Sequence, residues 1–207
     1  MIEKQQLQKH YADYATRSDD RVRDRERAKR SIVTHVLKNV PVTVKTRPIK
    51  VVVLGASDKR YIPVHAQIFT DILGENTVVS TLDVDAEHLG SGADVVQHDV
   101  TKPFPHTPYG VVFSHELMKF LTNEEQLQVL ENSYDALEPG GVAMHIMHEA
   151  SIKGTDKLES WQTKVDPDEL VKKLDERDIL AKKLVFDSET AIDWMRETTV
   201  IATHKPE

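Results

Sequence analysis

The sequence predicts an α/β protein built on a parallel sheet with helices on both faces. Two observations carry this. First, Ile49 to Leu54 is an apolar, β-branched run that stops at Gly55, and an apolar helical stretch from Tyr61 to Leu73 follows. Val51 to Leu54 are apolar without a break, which suits a strand covered on both faces. Second, strand and helix signals alternate from there to the C-terminus, the pattern of a doubly covered parallel sheet.

Residues 1–48 read as a helical extension, a lid or cap, and 49–207 as the α/β domain. No glycine or proline interrupts the chain before Pro41. Leu7, Tyr11 and Tyr14 share one helical face, as do Ile32, Val33, Val36 and Leu37. Between them, Arg17 to Arg30 holds seven basic and four acidic residues. That mixture reads as a solvated helix face with intrahelical ion pairs, and also admits an RNA- or anion-binding helix.

After the first strand, Thr77 to Leu82, Ala93 to Gln97, Tyr109 to Phe113 and Gly141 to Met147 are the next strand candidates. Thr122 with Glu125 predicts a capping box opening a helix with Leu127, Leu130, Tyr134 and Leu137 on one face. Pro139-Gly140-Gly141 ends it. Asp166 with Pro167 and Glu169 starts another helix. Ala181 to Phe186 and Thr198 to Ala202 read as an antiparallel pair at the sheet edge.

Composition narrows the function classes. The net charge of −7 argues against a nucleic-acid surface spread over the molecule. The absence of cysteine excludes disulfides, thiolate zinc sites and cysteine nucleophiles. No apolar run approaches a membrane span, and Met1 to His10 is too polar for a signal peptide. A cytoplasmic protein without a membrane partner is expected.

In an open parallel sheet, ligands bind beyond the carboxyl ends of the strands, where strand order reverses. Gly55, Ala56, Ser57 and Asp58 follow the first strand, and Asp83, Val84 and Asp85 the second. His98, Asp99 and Val100 follow the third, Ser114, His115 and Glu116 the fourth, and His148 and Glu149 the fifth. Asp83 suits ribose hydroxyls or a helix cap, and Asp99 an adenine amino group or a turn. His115 and His148 are candidate catalytic bases, or packed histidines. His145 and His148 leave opposite faces of a strand, so no metal site is expected. Neither a nucleophile elbow nor a Walker or GxGxxG pattern is present, which removes support for serine hydrolysis, phosphoryl transfer and dinucleotide binding.

Taken together, these positions resemble the class I S-adenosylmethionine-dependent methyltransferases. The resemblance rests on Val51-Val-Val-Leu-Gly-Ala-Ser57, Thr81-Leu-Asp-Val-Asp85, Gln97-His-Asp-Val-Thr101, Tyr109 to Leu117, and Leu137-Glu-Pro-Gly-Gly141, in that order. The first segment departs from the family pattern at Val53, Ser57 and Lys59. The resemblance implies a Rossmann-like, seven-stranded, mostly parallel sheet with an antiparallel C-terminal hairpin. It implies S-adenosylmethionine as cofactor, held by Gly55, Ala56, Ser57, Asp83, Val84, His98, Asp99, Val100 and Ser114. Tyr11 and Tyr14 would sit on a lid helix, and Trp161 would line an acceptor pocket or simply pack. The activity implied is methyl transfer to a small molecule. An RNA or protein methyltransferase, or an inactive methyltransferase-like binding protein, remains open.

Overall fold

A computed structural model describes residues 4–90, 92, 94–154, 158–187 and 197–207. Helices α1 (Lys4–Ala15) and α2 (Asp19–Asn39) precede the sheet. They break where the Ser18 hydroxyl accepts the Arg21 amide and caps α2. Then come β1 (Ile49–Leu54), α3 (Tyr61–Leu73), β2 (Thr77–Asp83), β3 (Val95–Gln97) and β4 (Tyr109–His115). The chain continues with α4 (Asn123–Asp135), β5 (Leu137–His148), α5 (Glu149–Lys153), α6 (Pro167–Asp175), β6 (Ala181–Asp187) and β7 (Glu197–His204). No described helix is long and apolar enough to cross a membrane.

The strands form one sheet in the order β3-β2-β1-β4-β5-β7-β6. The first five are parallel, and β7 runs antiparallel between β5 and β6. Every residue of β1 except Lys50 is buried, as its apolar run predicts. Alternating side chains feed two cores. Val51, Val53, Val111 and Phe113 pack with Ile32, Val33 and Val36 of α2 and Ile68 and Phe69 of α3. Val52, Leu54 and Val112 pack with Leu130 of α4 and Leu170 and Leu174 of α6.

The capping box at Thr122 and Glu125 forms, and Asp166 caps α6 with Pro167 in its first turn. Two expectations need correcting. Leu137 is not helical: α4 ends at Asp135, and Leu137 opens β5 opposite Tyr109. The third strand begins at Val95, with Ala93 outside the described residues.

Register aligns the strand ends. Leu54 lies opposite Leu82 and Ser114, and Asp83 opposite Gln97. The residues just beyond β1, β2, β3 and β4 therefore share one rim. From β1 the chain moves outward to β2 and β3, then crosses back to β4 and β5, so the order reverses beside Gly55.

Candidate functional site

A cavity of about 440 Å³ opens at this rim, roofed by α1 and α2. That size lies within the roughly 300–1,000 Å³ of small-molecule sites. One end is carboxylate-lined. Gly55 turns the chain at φ +75°, a left-handed conformation that glycine adopts without strain, and its amide donates to the Leu82 carbonyl. The Asp83 side chain is only 4% exposed. Its Oδ2 accepts from the Ala56 amide at 2.9 Å, and its Oδ1 accepts from the Asp85 amide at 3.0 Å and the Tyr11 hydroxyl at 3.4 Å. Burial raises its carboxyl pKa, while these hydrogen bonds oppose the shift. Asp99 faces the same cavity, one oxygen closed into a turn by the Thr101 amide and hydroxyl.

Helix α1 lies on this end. Tyr11 stacks on His88 at 3.6 Å, and His10 Nε2 is 3.3 Å from the Ser57 hydroxyl. Burial, with Lys119 and Arg17 nearby, pushes His10 down to about 4, so it is neutral at pH 7. Arg60 secures the α1–α2 connection by donating to the Tyr14 and Arg17 carbonyls and to Asp19. The same guanidinium pairs with Asp58, which is 7% exposed. Asp58 is thus neutralised and does not line the main cavity.

The other end is basic and aromatic. Arg25 and Lys29 of α2, Tyr61 and His65 of α3, Tyr14 of α1, and Phe113 of β4 line it. Lys29 Nζ contacts His65 Nε2 at 2.7 Å and stands 4.1 Å from the Tyr61 ring centroid. The Arg25 guanidinium lies 4.9 Å from the Tyr14 ring centroid.

Between the two ends, His115 Nε2 meets His148 Nε2 at 3.0 Å, and His148 Nδ1 meets the Thr198 hydroxyl at 3.2 Å. Burial lowers both imidazoles; neighbouring cations add to this, and Glu116 partly opposes it at His148. Burial alone would raise the Glu116 carboxyl, but His148 and Lys119 outweigh it and hold it below its ordinary value. Glu116 adopts φ 60°, which costs a non-glycine residue roughly 1–2 kcal/mol. It is held there by Lys119, the Ser151 hydroxyl and the His148 amide.

The cavity gathers Tyr11, Tyr14, Gly55, Ala56, Ser57, Asp83, Val84, His98, Asp99, Val100 and His115 of the expected residues. Three lie elsewhere. Ser114 faces the opposite side of β4 from Phe113 and His115, and its hydroxyl is bonded to His145 Nδ1 at 2.8 Å. His148 touches His115 but does not line the cavity. Trp161 packs on Phe120, with centroids 5.7 Å apart, outside the cavity wall.

The cavity also holds Arg25, Lys29 and His65, whose places in the sequence carry a signal. Arg25 and Lys29 continue the buried stripe Val22, Ile32, Val36, and His65 sits between Tyr61 and Ile68. Charged residues on an apolar helix face mark a lined site or a buried pair. Other cations of the run do pair on α2: Arg23 with Asp20, and Arg27 with Asp24.

No protein-family model and no curated protein matches the chain. Solved structures match in fold. N-methyltransferase NodS from Bradyrhizobium japonicum WM9, in complex with S-adenosyl-l-homocysteine, aligns with TM-score 0.59 and 13% identity over 98% of each chain. An S-adenosylmethionine-dependent methyltransferase from Clostridium acetobutylicum ATCC 824 aligns with TM-score 0.60 and 10% identity, over 95% of this chain and 99% of that one. An O-methyltransferase family protein from Burkholderia thailandensis aligns with TM-score 0.52 and 12% identity, over 87% of this chain. This chain spans 60% of that last protein. At these identities the likeness is one of fold: the seven-stranded sheet with its antiparallel C-terminal strands is similar to that of methyltransferases.

Proposed function

We propose that the protein is an S-adenosylmethionine-dependent methyltransferase acting on a small-molecule acceptor. The observation that carries this is the meeting of the Gly55 bend, Asp83 and Asp99 on the wall of one cavity at the point of strand reversal. The residues fit the group. Asp83 and Asp99 offer carboxylate acceptors to ribose hydroxyls and an adenine amino group, and Leu82, Val84 and Val100 offer apolar surface beside them. Pairing with Arg60 removes the repulsion that an unpaired Asp58 would exert on the cofactor's own carboxylate.

When bound, S-adenosylmethionine supplies an electrophilic methyl group on a sulfonium centre. The chain's own residues have three tasks. They hold an acceptor in line, exclude water beneath α1, and take a proton where the acceptor must lose one. His115 is the candidate for the last. It lines the cavity, it is kept neutral by burial, and no hydrogen bond to its Nδ1 is found among the described residues. His148, in contact with its Nε2, is a positioning residue.

Isothermal calorimetry with S-adenosylmethionine and S-adenosylhomocysteine tests the proposal. Both should bind, and Asp83→Asn, which sets an amide against the Ala56 and Asp85 N–H groups, should weaken both by about 30-fold, the worth of hydrogen bonds to a charged group. Binding of neither ligand to the intact protein removes the proposal.

A further inference from the structure

We propose that the basic end of the cavity is an anion subsite: the acceptor carries a carboxylate or a comparable oxyanion that seats against Lys29 and His65. This rests on the methyltransferase reading for the word acceptor, but not for the site itself.

The first observation is the environment of Lys29. It is 4% exposed, and among the described residues its partners are His65 Nε2 and the face of Tyr61; no carboxylate lies within ion-pairing distance. A buried ammonium without a counterion is strongly unfavourable, and proteins normally pair it or leave it uncharged. Burial, with Arg25 adding to it, lowers its pKa to about 7. The site therefore sits near the point where an arriving anion would fix the proton on Lys29.

The second observation is His65. It is 2% exposed, and among the described residues its Nδ1 has no hydrogen-bond partner. A buried ring nitrogen left bare is costly, and a ligand oxygen or a water relieves it. Both groups line the cavity rather than a sealed core.

The third observation is the imbalance of charge. The chain as a whole is acidic, at −7, yet α2 turns Arg25 and Lys29 into this end. Glu116 and Glu125 also line the cavity, but Glu116 is committed to Lys119, Ser151 and the His148 amide, and Glu125 to the Thr122 amide. Among the described residues, the groups beside Lys29 are Arg25 on its own helix, Tyr61 and His65 on α3, and His115, backed by His148, on the sheet. None is an acid of the carboxylate kind. The rings of Tyr14, Tyr61 and Phe113 around these cations suit a planar or apolar body attached to the anionic group.

Sodium benzoate, phenyl phosphate and neutral benzamide are suitable probes, titrated into the intact protein with and without saturating S-adenosylhomocysteine. Benzoate, or phenyl phosphate if the oxyanion recognised is a phosphate, should bind at least tenfold more tightly than benzamide. Lys29→Met should abolish the preference, and Lys29→Arg should retain part of it. In the wild type, the NMR titration of the Lys29 ammonium should move to higher pH on adding the preferred anion. Three outcomes would overturn the subsite: equal binding of benzamide, an anion preference that survives in Lys29→Met, or a Lys29 titration unmoved by anion. Cofactor binding measured on the same sample separates the two proposals. Retained S-adenosylhomocysteine binding without anion preference removes the subsite alone, and anion preference without cofactor binding removes the methyl-transfer reading alone.

Discussion

The two ends of the cavity solve the burial of charge in opposite ways. At the carboxylate end, Asp83 is as buried as Lys29, but its oxygens accept from two backbone amides and a phenol. At the basic end, Lys29 has a neutral imidazole and an aromatic face, and no opposite charge among the described residues. One charge is satisfied by the fold, while the other waits on something the fold does not provide. Backbone amides at strand ends furnish a self-contained anion cage, whereas a cation on a roofing helix depends on its ligand.

That contrast has its strongest consequence in the pH dependence of folding. A depressed lysine pKa means that the unfolded chain holds the proton more tightly than the folded one. Between pH 7 and 10.5, therefore, folding stability should rise with pH. At about 1.4 kcal/mol per unit, the whole excursion is on the order of 4–5 kcal/mol for this fully buried group. Lys29→Met removes the slope. Urea unfolding of both proteins should show the variant more stable at pH 7, with the gap closing toward pH 10. A gap that stays constant across this range would mean that Lys29 is not a desolvated cation and would erase the asymmetry between the ends. Benzoate added to the wild type should flatten its slope.

The carboxylate end was legible in the sequence because its chemistry is tied to strand ends. Gly55, Asp83 and Asp99 each follow an apolar run, and once the strands lie parallel their register brings the three together. The basic end was not, because it is assembled from the inward faces of two helices whose tilt over the sheet no local pattern specifies. The mixed charges of Arg17 to Arg30 admit both a solvated face and an anion-binding helix without saying which cations serve which; at Arg23 and Arg27 the face is solvated. Arg25 and Lys29 differ only in phase, falling on the stripe of Val22, Ile32 and Val36. Ser114 and His115 show the same lesson on a strand. One residue of offset puts Ser114 against His145 and His115 in the cavity.

A middle-sized effect belongs to His115, which stands where the two ends meet. His115→Ala should lower turnover by about 100-fold, a common contribution of a positioned base. S-adenosylhomocysteine affinity should stay as in the wild type, because the carboxylate end is intact. Unchanged turnover would exclude proton transfer at this position. A fall in turnover matched by lost cofactor affinity would instead make His115 a wall of the cofactor site.

The smallest effect concerns α1, which touches the carboxylate end through Tyr11. Its hydroxyl makes a long hydrogen bond, 3.4 Å, to Asp83, while its ring stacks on His88. Tyr11→Phe removes the first contact and keeps the second, at a cost of about 0.5–1 kcal/mol. If α1 opens by leaving these partners, its backbone amides should exchange with solvent about two- to fivefold faster in Tyr11→Phe. Tyr11→Ala, which also loses the stack, should exchange faster still. Benzoate affinity should not change in either variant, since Tyr11 belongs to the other end. Exchange that is indifferent to both substitutions would place the hold on α1 elsewhere, at the Arg60 clasp on the Tyr14 and Arg17 carbonyls. The roof would then be fastened at its hinge, independently of the charge on either side of the cavity below.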